Sequence, residues 1–245
     1  MIDPNILASW LSRLVQIPSV NPSQAGPKAG PPGEARLAEA VAGWFEAFGG
    51  QVQTHEVYPG RPNVYGIWRG QSERWAALDV HMDTVGVEQM TDEPFSGRVA
   101  DGRVYGRGAV DTKASLAVAL ALLEQMHRDR RQPVPNLLIA ATVDEENAAR
   151  AAPMFARWLR EQAIPLTELM VAEPTGCRPV FGHKGGLRLK ITVRGQTSHS
   201  SVPEQGKNAI VAAARLIAAL DAENERLRAV PSPLGHPTLT VSLIH

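Results

Sequence analysis

The stretch ALDVHMDTV, residues 77–85, begins as an apolar run and is interrupted by His81 and Asp83. A short apolar run of this kind is typical of a strand that is buried in a sheet. A single histidine after a strand is usually an ordinary loop residue. The stretch therefore becomes informative only if other strands of the chain end in a similar way.

Acidic residues occupy comparable positions elsewhere in the chain. Two further apolar runs, residues 136–143 and 168–172, are each followed directly by acids, and another acid lies at the start of a long apolar helix that is predicted from residue 111 onward. These acids are, in chain order, Asp111, Asp144, Glu145, Glu146 and Glu173. Because ligands of open α/β sheets bind beyond the carboxyl ends of the strands, we expect the acids and His81 to lie close together.

The order of the predicted elements indicates an α/β fold. Helices predicted at residues 3–16 and 34–50 precede a series of strands that alternate with further helices, which favours a mostly parallel sheet flanked by helices over residues 1–181. Residues 182–245 read as strand, helix and strand, with strands at 187–195 and 237–244. We interpret this second segment as the first half of a smaller α+β domain.

Composition excludes several classes of protein. The 25 basic and 25 acidic side chains cancel, which gives no support for a nucleic-acid partner or an acidic membrane surface. The single cysteine, Cys177, cannot form an internal disulfide, and we interpret it as a small structural residue. Neither a secretory signal nor a membrane-spanning apolar run is recognisable, so a cytoplasmic protein is expected.

A metal ion would explain why so many acids follow strands. Several carboxylates in one partly desolvated cleft repel each other unless a positive charge lies between them. One histidine with several carboxylates suits Zn²⁺, Co²⁺ or Mn²⁺. Taken singly, the residues have simpler interpretations: His81 as a loop residue and Asp111 as a helix cap. Glu145 and Glu146 could be a solvated pair, and Glu173 could belong to a turn.

Four motifs, HMDTV, GRGAVDTK, DEE and AEPT, occur in this order at residues 81–85, 106–113, 144–146 and 172–175. This ordered set resembles the dinuclear zinc deacylase and exopeptidase family, which includes acetylornithine deacetylase, succinyl-diaminopimelate desuccinylase, aminoacylase and glutamate carboxypeptidase. Residues 183–210 resemble the family's lid, or dimerisation, domain. Within the family, the chain is most similar to acetylornithine deacetylase.

The resemblance implies two zinc ions per active site. His81 and Glu173 would bind one ion, and Glu146 would bind the other. Asp111 would bridge them, and its peptide bond to Thr112 is expected to be cis. The members of the family are longer than this chain, so the chain is expected to be truncated at its carboxyl end and to lack the last histidine ligand. His183, His236 and His245 receive no role.

Three further residues receive catalytic roles. Asp83 lies two residues beyond His81 on an extended chain and would accept a hydrogen bond from its ring. Glu145 would be the general base that deprotonates a zinc-activated water, and His199 would reach the oxyanion from the partner subunit of a homodimer. The expected reaction is hydrolysis of N-acyl amino acids in the cytoplasm, for example in arginine biosynthesis.

Two other functions remain open. The first is a metallo-exopeptidase or carboxypeptidase that acts on short peptides with the same set of residues. The second is an inactive fragment that acts only by association through the lid. Metal content and turnover would distinguish an enzyme from such a fragment.

Overall fold

The computed structural model describes residues 2–245, and the chain divides into two compact units, Met1–Gly176 and Cys177–His245. The elements of the first unit are, in chain order, α1 (Pro4–Val15), α2 (Ala35–Ala47), β1 (Gln51–Tyr58), β2 (Arg61–Trp68), β3 (Trp75–His81), β4 (Arg98–Ala100), β5 (Arg103–Tyr105), α3 (Lys113–Arg128), β6 (Asn136–Thr142), α4 (Ala151–Glu161) and β7 (Glu168–Val171). The catalytic role predicted for residues 1–181 and the lid role predicted for 182–245 stay predictions.

Five strands form the central sheet in the order β1-β2-β6-β3-β7. The neighbours β6, β3 and β7 are parallel, whereas β2 is antiparallel to both β6 and β1. Four of the five strands therefore point the same way, and only β2 is reversed. The predicted α/β fold with a mostly parallel sheet is confirmed.

Strand register brings the ends of β3, β6 and β7 together. His81, the last residue of β3, pairs with Thr142 at the end of β6, and Asp79 pairs with Val171 at the end of β7. The segments that continue from these strands therefore leave the sheet at the carboxyl ends of the parallel strands, which are called the carboxyl edge below. The candidate site lies at this carboxyl edge.

Helices cover both faces of the sheet, and alternate strand residues point to each face. On one face, α1, α2 and α3 pack with sheet residues such as Val64, Val80 and Ile139 in one apolar cluster. On the opposite face, Phe155 and Trp158 of α4 pack with sheet residues in a second cluster. The sheet is therefore sandwiched, as expected for a fold of this class.

Phe45 is expected to be one of the main contributors to the stability of the first unit. Its ring is fully buried and lies edge-on to Trp68, with 5.3 Å between the ring centroids. We expect Phe45→Ala to lower the free energy of unfolding by about 3–5 kcal/mol, because it leaves a cavity in the core. Phe181→Ala is the control, since Phe181 is fully exposed. Equal effects of both substitutions in chemical denaturation would contradict this prediction.

One hairpin of the first unit was not predicted. Strands β4 and β5 pair antiparallel and are joined by Asp101 and Gly102, whose φ angles are 52° and 70°. Asp-Gly is the preferred pair for a two-residue turn with positive φ at both positions, so the sequence did contain a local signal for this hairpin.

In the second unit, the predicted helix forms but the predicted strands do not. Helix α5 (Ala209–Arg228) is capped by Asn208, whose side chain accepts hydrogen bonds from the main chain of Ile210 and Val211. The predictions of strands at 187–195 and 237–244 are wrong: both segments are described and neither is a strand. An alternating apolar pattern marks one side for burial, but a strand also requires a hydrogen-bonded neighbour.

Two further features of the fold concern an exposed strand and the apolar character of the helices. Strand β7 is an edge strand, and its apolar residues Leu169, Met170 and Val171 are each more than half exposed. Among residues 2–245, no helix is both long enough and apolar enough to cross a membrane.

Candidate metal centre

His81 lies at the base of the candidate site and is almost completely buried. Its Nε2 is 3.1 Å from Oδ1 of Asp111, and its Nδ1 is 2.9 Å from the main-chain oxygen of Asp83. Because Nδ1–H can donate to this oxygen, Nε2 is the atom that would bind a metal once it has lost its proton. The ring is thus held in the orientation that a metal site requires.

Two sets of side chains have the spacing of metal ligands, and His81 belongs to both. In each set, the possible ligand atoms all lie within 4.8 Å of one another. The first set consists of His81, Asp111 and Glu173, which are the residues predicted to surround the first zinc. The second set consists of His81, Glu145 and Glu146. The structure therefore brings together every predicted metal ligand, although it groups Glu146 with Glu145.

The contact predicted between the His81 ring and Asp83 is made by the main-chain oxygen of Asp83, and its carboxylate has other partners. Its carboxylate Oδ1 is 3.6 Å from Nδ1 of His81, farther than its own main-chain oxygen. Its two carboxylate oxygens instead accept hydrogen bonds from the main-chain N–H groups of Glu145 and Glu146, both at 3.1 Å. The side chain of Asn21 also donates to Asp83, at 2.8 Å. Asp83 therefore connects the segment that follows β3 and His81 to residues 144–146, which follow β6 and are called the acidic turn below.

The peptide bond between Asp111 and Thr112 is cis, as predicted. Helix α3 begins immediately afterwards, with Thr112 at its N-cap position and no side-chain capping bond, so the alternative role of Asp111 as a helix cap is not observed. The hydroxyl of Thr112 donates to the main-chain oxygen of Ala172, which lies next to Glu173. This bond joins the two segments that carry Asp111 and Glu173.

The electrostatics of the site fit a bound cation. Burial and the negative charges of Asp111 and Glu145 raise the pKa of Glu146 to about 7. Burial and neighbouring carboxylates also raise the pKa of Glu173. Burial disfavours the charged form of His81, but the Asp83 carboxylate and the charge of Glu145 outweigh it and raise the pKa to about 9. A divalent cation would relieve the repulsion between these acids.

The donor atoms also fit zinc in kind. The two sets offer one imidazole nitrogen and carboxylate oxygens, which is a combination found in catalytic zinc sites and acceptable to Co²⁺ or Mn²⁺. The acids Asp111 and Glu173 are about half exposed, whereas His81 is buried beneath them. A ligand could therefore approach the centre from the solvent side.

A group of buried polar residues around Asp144 was not predicted. Asp144 is fully buried, and it accepts a hydrogen bond from the Tyr58 hydroxyl at 2.8 Å and lies 3.6 Å from Arg61. Burial alone would raise the pKa of the Asp144 carboxyl, but its hydrogen bonds lower this pKa. The hydrogen bond from Tyr58 lowers it most. Arg61 also forms two hydrogen bonds with the buried carboxylate of Glu34. These contacts join residues far apart in sequence, so no local pattern indicates them.

His199 belongs to the second unit and is exposed. Its Nδ1 accepts a hydrogen bond from the main-chain N–H of Ser201, at 3.2 Å. The proton of the neutral ring is then carried by Nε2, which is the atom that could donate to an oxyanion. The catalytic role of His199 stays a prediction.

The fold and the site together define this chain as an α/β protein with a candidate metal centre. One buried histidine and several carboxylates form this centre at the carboxyl ends of the strands. Residues 77–239, more than half of the chain, match the family described as peptidase family M20/M25/M40. The chain belongs to this family.

Three crystal structures are similar to this chain in fold. A tripeptidase from Staphylococcus aureus has 22% identity and a TM-score of 0.60, with 90% of this chain and 57% of that chain covered. An M20 family metallo-carboxypeptidase from Sulfolobus solfataricus has 18% identity and a TM-score of 0.52, with 67% and 36% covered. Human carnosine dipeptidase 1 has 15% identity and a TM-score of 0.56, with 69% and 38% covered. The chain thus spans between about a third and three fifths of their lengths.

Proposed function

We propose that the chain is the metal-binding part of a zinc-dependent hydrolase that cleaves the amide bond of N-acyl amino acids, as acetylornithine deacetylase does. The observation that carries the proposal is the cluster of His81, Asp111 and Glu173, whose possible ligand atoms lie within 4.8 Å of one another at the edge where three parallel strands end. Family membership supports the same chemistry. The proposal places the reaction in the cytoplasm and the active enzyme in a homodimer.

Bound zinc would lower the pKa of a water molecule and polarise the carbonyl group of the substrate. His81, Asp111 and Glu173 would hold one ion, and Glu146 would bind a second. A carboxylate oxygen of Glu145 takes the proton from the attacking water and later delivers it to the departing amine nitrogen. Glu145 is suited to this task because it is exposed while its main-chain N–H is bonded to Asp83.

His199 is proposed to donate a hydrogen bond from Nε2 to the oxyanion, reaching it from the partner subunit. We expect His199→Ala to lower kcat by about 10²–10³-fold without loss of zinc, since one oxyanion donor contributes that much in other hydrolases. His236→Ala, another substitution of an exposed histidine in the second unit, should leave kcat unchanged. An unchanged kcat of His199→Ala would remove this role.

A second candidate function is a metallo-exopeptidase that acts on short peptides. The proteins of similar fold favour it, because they are a tripeptidase, a metallo-carboxypeptidase and a dipeptidase. The same cluster of His81 and acids serves both reactions, so the metal centre does not distinguish them. The difference between the two candidates is the substrate alone.

A panel of substrates tests the proposal. Full-length protein loaded with zinc would be assayed with N-acetylornithine, N-succinyl-diaminopimelate, dipeptides and tripeptides, and each assay would be repeated after removal of the metal by a chelator. Hydrolysis of an N-acyl amino acid that stops with the chelator supports the deacylase. Exclusive hydrolysis of peptides supports the exopeptidase, and zinc binding without any turnover contradicts both.

A further inference from the structure

One buried asparagine lies between the two parts of the candidate metal centre. The Nδ2 atom of Asn21 is 2.8 Å from Oδ2 of Asp83 and 3.3 Å from Oδ1 of Asp144. All three side chains are fully buried. Asp83 lies two residues beyond His81, in the segment that follows β3, whereas Asp144 begins the acidic turn that carries Glu145 and Glu146. A single carboxamide thus joins the two segments.

The orientation of this carboxamide follows from its other contacts. The Oδ1 atom of Asn21 accepts hydrogen bonds from the main-chain N–H of Ser23 at 3.1 Å and from the Ser23 hydroxyl at 2.8 Å. Carboxylates offer only acceptors, so the amide N–H₂ group must face Asp83 and Asp144. The main-chain N–H of Asn21 also donates to Thr84 at 2.9 Å, which fixes the loop beside the segment that follows β3.

The acidic turn is held through its main chain. Three consecutive N–H groups, those of residues 144–146, donate to two buried carboxylates: Asp144 to Glu34 at 3.2 Å, and the next two residues to Asp83 at 3.1 Å each. Asp144 also has a φ angle of 65°, which non-glycine residues rarely adopt. Such a turn is maintained only if its surroundings determine it, and its two anchors are Glu34 and Asp83.

Asn21 is the side chain that contacts both Asp83 and the carboxylate of Asp144. Of the other partners of the Asp144 carboxylate, Tyr58 and Arg61 approach it from the β1–β2 hairpin, and Asn147 donates to it from the same turn at 3.4 Å. Without the Asn21 amide, two buried carboxylates would each lose a donor, and the acidic turn would lose one of its connections to the segment that follows β3. Loss of a buried donor to a charged group carries a substantial energetic cost.

We infer that Asn21 is a positioning residue of the metal centre, which holds the acidic turn of Glu145 and Glu146 in register with His81 by bridging Asp144 and Asp83. The inference rests on the proposed function as far as the identity of the centre is concerned. The bridge itself is a property of the metal-free chain, so it can be tested separately.

Asn21→Ser is the variant that isolates the bridge. Asn21 is the N-cap of a short 3-10 helix, Pro22–Gln24, and its side chain accepts from the N–H of Ser23. Serine is also a good N-cap and can still accept from this N–H, but it is too short to reach both carboxylates. The matched control is Asn136→Ser. Asn136 is also buried and bonds to the main chain of Gly70, Ser72 and Arg74, but it lies at the start of β6, at the opposite end from the acidic turn.

Two quantities would be measured in both variants and in the wild type. The first is hydrogen exchange of the Glu145 and Glu146 amides in metal-free protein, which we expect to accelerate about 10-fold or more in Asn21→Ser alone. The second is zinc affinity, which we expect to fall by about 10- to 100-fold in the same variant, the usual effect of losing a residue that supports metal ligands.

Unchanged exchange of these amides in Asn21→Ser would overturn the inference, and so would equal changes in Asn136→Ser. If Asn21→Ser does not fold, Asp144→Asn decides. It replaces a charge-assisted hydrogen bond by a neutral one about half as strong, so both quantities should change in the same direction but less, and no change would overturn the inference. Failure of the wild type to hydrolyse any amide would contradict the proposed function, whereas the exchange data would still decide the role of Asn21.

Discussion

Glu145→Gln is expected to lower kcat of the zinc-loaded, full-length enzyme by about 10²–10⁴-fold, the range that a positioned general base contributes. Glutamine has nearly the same shape as glutamate but cannot take a proton from water. The N–H of residue 145 would still donate to Asp83, so the turn should keep its conformation. The zinc content should therefore remain that of the wild type.

Glu146→Gln is the matched comparison for this variant. Both residues lie in the acidic turn and in the same set with His81, so proximity alone does not separate a base from a ligand. If the assignment is right, Glu146→Gln lowers the zinc content or affinity, whereas Glu145→Gln lowers kcat at full zinc occupancy. Loss of zinc from Glu145→Gln would make Glu145 a ligand, and an unchanged kcat would remove it from the reaction.

His81→Ala is expected to abolish measurable zinc binding at the cluster. The reason is that His81 belongs to both sets of possible ligands, whereas Asp111 and Glu173 belong to one set each. Its removal also takes away the one imidazole nitrogen of the two sets and leaves carboxylates as the only ligand groups in them. The effect should exceed the roughly 10- to 100-fold loss of affinity that follows removal of a supporting residue.

Isothermal titration with zinc measures this effect, and His127→Ala is the control. His127 is exposed in the last turn of α3 and contacts the ring of Phe48, away from both sets. Wild-type zinc affinity in His81→Ala would show that the cluster does not bind the ion. Asp111→Asn should give a smaller loss than His81→Ala if the histidine is shared by the two sets as the structure indicates.

The local sequence was a good guide to the elements that form the first unit. A helix was predicted at residues 3–16 and α1 forms at Pro4–Val15, where the side chain of Asp3 caps the helix by accepting a hydrogen bond from the N–H of Asn5. The prediction was less successful in the second unit, where an alternating pattern indicated two strands that do not form. Local pattern determines which face of a strand can be buried, but pairing depends on segments elsewhere in the chain.

The acids and the histidine of the site could be predicted because each follows a strand or precedes a helix, and parallel strands end at one edge of a sheet. The supporting residues Asn21, Glu34, Tyr58 and Arg61 could not. They lie in a loop, at a helix start and in a hairpin, and each is an ordinary polar residue in its own segment. Their role depends on contacts across many residues of sequence.

By itself, the sequence determined the α/β class, the helices of both units and the identity of the residues that converge at the candidate centre, because periodicity and position after a strand are local properties. Only the tertiary structure decided how those residues are grouped, that His81 is common to both sets, and that Asp83 bonds to the acidic turn through its carboxylate. Hydrogen bonds between buried groups depend on distances of a few tenths of an ångström, which are set by the packing of the whole unit.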